Sequence, residues 1–301
     1  CVDVPTVTLC TMFAINETQI ATRDLVEHLY GRADAAAALD GLLGLTRYFE
    51  SATRLMQRTG AMCPGIVDYL GNRRALNIVL TSRAFQVRGD VFDASYAFVG
   101  PSIASGPDED VTELWGPSSD QPLVYVALGT MYNDDVDFYR RCFDAFGAKP
   151  WRVVISVGTR MSESGHVALG TPPPNITVRA VVPQVALLAR ASAFVTHGGM
   201  NSAHEGMTFG VPLVVLPSAA DHFVVAERVS AVGAGLMLPR AQASAEAMAA
   251  LTERVLGEPA FAQASRAVGR TLVEAGGASR AADLIHTHLR THGTSTWPTS
   301  H

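Results

Sequence analysis

His197-Gly198-Gly199-Met200-Asn201-Ser202-Ala203-His204-Glu205 decides how this 301-residue chain is read. It follows the apolar run Ser192-Ala193-Phe194-Val195-Thr196 and precedes a stretch of helix formers, so it reads as a strand end, a tight turn and a helix start. Such a junction is an anion site. Paired glycines let the backbone come close to a ligand oxygen, and the first-turn N–H groups of the new helix carry the positive end of its dipole. Asn201 and Ser202 add side-chain donors in that turn. His197 can donate a ring N–H from the strand end, and Glu205, one turn along, can accept from hydroxyls. Gly-Gly before a helix also serves plain capping chemistry; the His before it and the Glu after it are what point to a ligand.

Working outward, apolar strands alternate with helical patterns from Leu123 onward. Leu123 to Leu128, Trp151 to Val157, Ile176 to Val182, Ala193 to Thr196, Val211 to Leu216 and Gly235 to Leu238 read as strands. Asp135 to Phe146, Val185 to Arg190, Asn201 to Phe209 and His222 to Val232 read as the helices between them. That alternation predicts a parallel sheet wrapped by helices on both faces, a doubly wound α/β architecture. Helices at Ala243 to Leu256, Pro259 to Glu274 and Ala278 to Arg290 follow, and the tail beyond is polar. Upstream, Pro101 to Gln121 is rich in Pro, Gly, Ser and acids and reads as a linker. Before it lie strand candidates at Pro5 to Leu9, Ala75 to Thr81 and Tyr96 to Val99, with helical stretches at Ala35 to Tyr48 and Glu50 to Thr59.

Composition bounds the function. At 48% hydrophobic and 17% charged, the chain can bury sizeable cores and is long enough for two domains. A net charge of -5 argues against nucleic-acid or anionic-membrane partners. No apolar run approaches the roughly 20 residues of a membrane span, and no leader pattern opens the sequence, so the expected location is cytoplasmic. Cys1, Cys10, Cys63 and Cys142 lack metal-ligand spacing, and Asp108-Glu109-Asp110 reads as a solvated charge cluster within the linker.

The core His197, Gly199, Asn201, Ser202 and Glu205 resembles the HxGxNSxxE donor signature of the UDP-glycosyltransferase superfamily. Val182-Pro183-Gln184 is similar to the family's WxPQ segment. Gly210-Val211-Pro212-Leu213-Val214-Val215-Leu216-Pro217 leads into Asp221-His222 where the family has Asp-Gln. Asn77 to Ser82, Phe98 to Pro101 and Val124 to Thr130 resemble the bacterial macrolide and antibiotic glycosyltransferase type. The resemblance implies a GT-B fold of two Rossmann-like domains with parallel sheets, the first incomplete. Residues 1–105 would be a partial acceptor-binding domain, 106–121 a linker and 122–277 the donor-binding domain. Residues 278–290 would form a helix crossing back to the first domain, and 291–301 a tail. It also implies inverting, metal-independent transfer of a hexosyl group from a nucleotide sugar to a hydroxyl of a small natural-product acceptor. The donor would be UDP-linked first and TDP-linked second, with no cofactor besides that co-substrate. Carried over residue by residue, His197, Gly198, Gly199, Asn201, Ser202 and Thr130 would hold the diphosphate. Glu205, Gln184, Val182 and Val181 would hold ribose and base, and Asp221 and His222 the sugar. Two departures matter: Val181 stands where a stacking Trp is usual, and His222 where a Gln is usual. His204 points off the phosphate face by helical spacing and reads as structural.

Inverting transfer needs a general base within hydrogen-bond reach of the acceptor hydroxyl. In the resembling family that base is a His near the start of the first domain, and no His here precedes His28. His28 lies in Asp24-Leu25-Val26-Glu27-His28-Leu29-Tyr30, without the glycine turn expected after a first strand, and reads as an ordinary surface residue. The expectation is therefore that the catalytic base lies upstream and that this chain is the later part of a longer protein. A non-catalytic nucleotide-sugar-binding fragment or accessory protein is the alternative reading, a sugar-nucleotide epimerase ranks behind both, and homodimer formation stays open.

Overall fold

The computed structural model describes residues 5–16, 50, 51, 53, 54, 58, 73–103, 111–114, 120–130, 133–218 and 220–292. His28, the stretch Ala35 to Tyr48, most of Glu50 to Thr59 and the acidic cluster Asp108 to Asp110 lie outside them. The chain divides into two compact units, residues 1–102 with 271–301, and residues 103–270.

In the first unit, β1 (Val7–Cys10), β2 (Leu76–Val79) and β3 (Tyr96–Phe98) form a parallel sheet in that order. Val7 pairs with Leu76, and Asn77 pairs with Tyr96. The central strand β2 is buried at all four positions, as expected of a strand covered on both faces. One face of the sheet carries Phe92, Tyr96 and Phe98 edge to face, with ring centroids 4.9 and 5.6 Å apart around Phe92. The other carries Leu76, Ile78 and Val99 with Ala281, Leu284 and Ile285 of the last helix.

The second unit holds six parallel strands: β4 (Leu123–Ala127), β5 (Arg152–Ser156), β6 (Ile176–Arg179), β7 (Ala193–Thr196), β8 (Leu213–Val215) and β9 (Gly235–Met237). Their spatial order is β6-β5-β4-β7-β8-β9. The chain thus winds outward from β4 to one edge, returns to β7 beside β4, and winds out to the other. Strand order reverses between β4 and β7, and in such sheets the crevice beyond the carboxyl ends at the reversal receives the ligand. The inner strands β4 and β7 are buried throughout, whereas the edge strands β6 and β9 are partly exposed.

The connecting helices are α1 (Val136–Phe146), α2 (Glu163–Leu169), α3 (Gln184–Leu188), α4 (Met200–Thr208), α5 (Ala220–Ala231) and α6 (Ala245–Gly257). They are followed by α7 (Pro259–Glu274) and α8 (Gly277–His292), and the division between units falls within α7. Helix α1 starts where the Asp135 carboxylate accepts from the Phe138 amide, and it buries Phe138, Tyr139, Cys142, Ala145 and Phe146 on one stripe. Helix α6 starts on Ser244 and buries Met248, Ala249, Thr252 and Val255 in the same way. Both stripes enter a core built on Val124, Val126, Val153, Ile155 and Val195.

Several bounds differ from the sequence reading: β1 runs on to Cys10 and β6 stops at Arg179 instead of Val182. Helix α2 was not foreseen: it is short, starts on a Ser162 cap and contains Gly165, so no apolar periodicity announces it. Strand β8 begins at Leu213 and not at Val211, because Pro212 has no N–H and offers only its carbonyl, 3.0 Å from the Phe194 amide. No helix among the described residues is long and apolar enough to cross a membrane.

Candidate functional site

Two loops leave the sheet at the reversal. After β4 comes Leu128-Gly129-Thr130; after β7 comes His197-Gly198-Gly199, the last of these being the N-cap of α4. Gly129 and Gly198 have φ of 74° and 91°, in the left-handed region that side chains resist. The imidazole of His197 lies between the loops. A Cβ on Gly129 would come within 2.6 Å of its Cε1, and one on Gly199 within 2.5 Å of its Nε2. Gly199 has no side chain, so the N-cap supplies no acceptor to the first-turn amides of α4.

Burial drives the basicity of His197 down to about 4; the neighbouring His222 adds to this, and Asp221 opposes it. The ring is therefore neutral at pH 7 and carries one N–H, for which the Ala127 carbonyl competes. His222, from the start of α5, stands edge-on to it with centroids 4.7 Å apart at 87°. Its Nε2 is 3.9 Å from the Asp221 carboxylate, and its Nδ1 is buried without a hydrogen-bond partner. The two groups assigned to the sugar differ in setting: Asp221 is half exposed, whereas His222 is nearly buried and packs on His197.

A second cluster lies alongside. Gln184, at the start of α3, donates from Nε2 to Glu205 Oε2 at 2.5 Å and lies 3.5 Å from Ser202 Oγ. Its Oε1 accepts from the Tyr125 hydroxyl at 2.9 Å. Tyr125 is anchored by stacking on Phe194, centroids 4.8 Å apart and 8° from parallel. Gln184 and Glu205, each expected at the nucleoside, are joined by the fold through the hydrogen bond between them. Burial raises the pKa of Glu205, and the Gln184 hydrogen bond opposes that rise.

Of the remaining expected residues, Thr130 and Asn201 are exposed, Val182 is buried and Val181 is 66% exposed, an aliphatic surface where a base could lie. His204 is buried at 1% exposure, and burial alone pushes its pKa down to about 3, in keeping with a structural role. Three features escaped the sequence reading. Tyr125 is a phenol in an otherwise aliphatic strand, a signal that was legible. Asn133 donates to the Gly129 carbonyl at 2.7 Å and packs against Gly158, which has φ 77° and no room for a side chain. Asp135 and Arg240 pair at 2.8 Å across 105 residues, a separation that no local pattern announces.

Comparison with known proteins places this geometry. The C-terminal domain model of erythromycin biosynthesis protein CIII-like proteins matches residues 143–276. An uncharacterized UDP-glucosyltransferase of Bacillus subtilis (strain 168), YojK, is 33% identical over 288 residues, covering 93% of this chain and 67% of that protein. The NDP-glycosyltransferase YjiC of the same organism is 31% identical over 290 residues, covering 96% of this chain and 68% of that protein. Among solved structures, the calicheamicin glycosyltransferase CalG4 matches with a TM-score of 0.75 at 30% sequence identity, over 96% of this chain and 70% of that one. Sequence relatives along nearly the whole chain and a shared backbone agree with the crevice built at the strand reversal: the chain belongs to the UDP-glycosyltransferase superfamily, among its bacterial macrolide and antibiotic glycosyltransferases of GT-B fold.

Proposed function

We propose that the crevice between the β4 and β7 loops holds the diphosphate of a nucleotide sugar, UDP-linked or TDP-linked, for inverting transfer to a hydroxyl of a natural-product acceptor. The observation that carries this is the convergence of Gly129, His197, Gly198 and Gly199 on the first turn of α4, with the Tyr125–Gln184–Glu205 chain beside it. Bare amides at a helix start and a ring N–H suit an oxyanion, whereas a carboxylate oriented by an amide suits vicinal hydroxyls. As the sugar departs, charge grows on the leaving diphosphate, and the fixed amides stabilise it where it develops; we assign to them the task a divalent metal would otherwise perform. Asn201, Ser202 and Thr130 complete the diphosphate contacts, Gln184, Val181 and Val182 the nucleoside contacts, and Asp221 faces the sugar with His222 behind it. An acceptor of antibiotic type accords with the family model and with the calicheamicin enzyme.

Calorimetry with UDP, dTDP and inorganic pyrophosphate tests the reading. His197→Ala and Ser202→Ala should each weaken nucleoside diphosphate binding by about 1.5 to 3 kcal/mol, the worth of a hydrogen bond to a charged group. Glu205→Ala should weaken UDP but leave pyrophosphate unaffected. Unchanged UDP affinity in all three variants removes the site, and equal losses for UDP and pyrophosphate in Glu205→Ala remove the ribose assignment.

A further inference from the structure

The charges at the crevice include a pair that no signature motif contains. Arg240 opens the 3-10 turn Arg240–Gln242 after β9, and Asp135 caps α1 after β4. In the sheet, β7 and β8 stand between β4 and β9, so at the usual strand spacing of about 4.8 Å those two strands run roughly 14 Å apart. The contact of 2.8 Å between Arg240 Nη2 and Asp135 Oδ2 joins segments that leave the sheet on either side of β7 and β8, the strands whose carboxyl ends lead to His197 and toward His222. The backbone carries Arg240 there: the Leu238 amide donates to the Val215 carbonyl, and the Arg240 amide to the Pro217 carbonyl. The guanidinium lies 5.4 Å from the Phe138 ring centroid, and only 14% of the side chain is exposed. Asp135 uses its other oxygen for the Phe138 amide at 2.9 Å. The Arg240 charge reaches both site histidines and opposes protonation of each.

We propose that this pair sets the electrostatic potential of the donor crevice: Arg240 is a fixed cation that favours the nucleoside diphosphate, and Asp135 is a counter-charge that attenuates it. The inference rests on the donor reading above. A charge held in a partly buried crevice is weakly screened, so its field acts on a ligand it does not touch. Asp135 then has two separable tasks, because capping α1 requires only an oxygen whereas attenuating Arg240 requires a negative charge.

That separation gives the test opposite signs. Asp135→Asn keeps an oxygen for the Phe138 amide and removes the charge, so UDP and dTDP should bind about threefold or more tightly at low ionic strength. Arg240→Gln should bind them roughly tenfold more weakly, Arg240→Lys should retain most of the affinity, and added salt should narrow these differences. Uridine and thymidine, which lack the diphosphate, should be indifferent to all three changes. A purely architectural pair predicts weakening by Asp135→Asn as well as Arg240→Gln, with the nucleosides following; either outcome overturns the inference, as does unchanged UDP affinity in Arg240→Gln. His197→Ala separates the two levels. If it weakens UDP while Asp135→Asn leaves UDP unchanged, only this inference falls; if the unaltered chain binds neither UDP nor dTDP, the donor reading falls and takes it along.

Discussion

Glycine at position 199 illustrates how much one hydrogen atom decides in this crevice. Its φ of -60° is open to any residue, unlike the left-handed turns at Gly129 and Gly198, so the backbone does not demand glycine there. The His197 ring does: a methyl would fall 2.5 Å from Nε2, and the helix start that carries residue 199 cannot retreat without breaking the bond from the Ala203 amide to the Gly199 carbonyl. Gly199→Ala should accordingly turn the imidazole out and weaken UDP binding by about 1.5 to 3 kcal/mol, while helix propensity at an N-cap changes stability by less. Calorimetry beside urea denaturation separates the two effects. A loss of stability equal to the loss of binding would mean that the glycine serves the fold and not the ring. Tyr125 makes the complementary point, because its hydroxyl donates to Gln184, which in turn holds Glu205, and so shapes the pocket without being required to touch a ligand.

At the scale of elements, three helices flanking the second sheet, α1, α2 and α6, start on a single capping side chain. Ser244 accepts from the Ala247 amide at 3.2 Å, and α6 then lays Met248, Ala249, Thr252 and Val255 into the core against β7, β8 and β9. Ser244→Ala should cost about 1 kcal/mol of unfolding free energy, seen as a lower urea midpoint with unchanged slope, and should leave UDP affinity alone because α6 supplies none of the crevice residues. A matching fall in UDP affinity would show that α6 is coupled to the site. Caps and stripes of this kind were legible: Asp135 before Val136 and Ser244 before Ala245 stand at helix starts, and the strands of both sheets fall within the apolar runs that announced them, except that β1 runs one residue further, to Cys10. Helix α2 was not legible, since about two turns around a glycine leave too few positions to set a period.

Across the molecule, acid is the condition to which the second unit should respond most. His197 and His204 sit neutral in the folded chain with pKa values of about 4 and about 3, against 6.5 for a free imidazole, burial being the chief cause for both. Between those values the unfolded chain binds protons that the folded chain does not, so stability is full above pH 6.5 and falls progressively as pH drops toward 4. Each unit of difference is worth about 1.4 kcal/mol, so the two rings together lower stability by several kcal/mol over that range. Asp135 extends the loss to lower pH. Burial alone would raise its pKa, but the Phe138 amide and Arg240 hold it below the usual carboxylate value, so its contribution disappears as it protonates. Urea denaturation at pH 7 and pH 4.5 should reveal the decline, and His204→Gln should flatten it; an equally steep decline in that variant would assign the acid sensitivity elsewhere.

By itself the sequence determined the strands of the second unit, most of its helices and the glycine turn that leads from β7 into α4, because apolar periodicity, caps and paired glycines are local properties read within a dozen residues. It also carried the family, since the motif residues keep their spacing. Only the tertiary structure decided what those residues do to one another. Gln184 and Glu205 form one hydrogen-bonded unit, His222, expected beside the sugar, also packs edge-on to His197, and the pairing of Asp135 with Arg240 carried no local signal. The reason is the winding of the sheet. Strand order reverses between β4 and β7, which brings together side chains lying 21, 25 and 105 residues apart. That juxtaposition comes from β-strand pairing over long loops, and no window along the chain contains it.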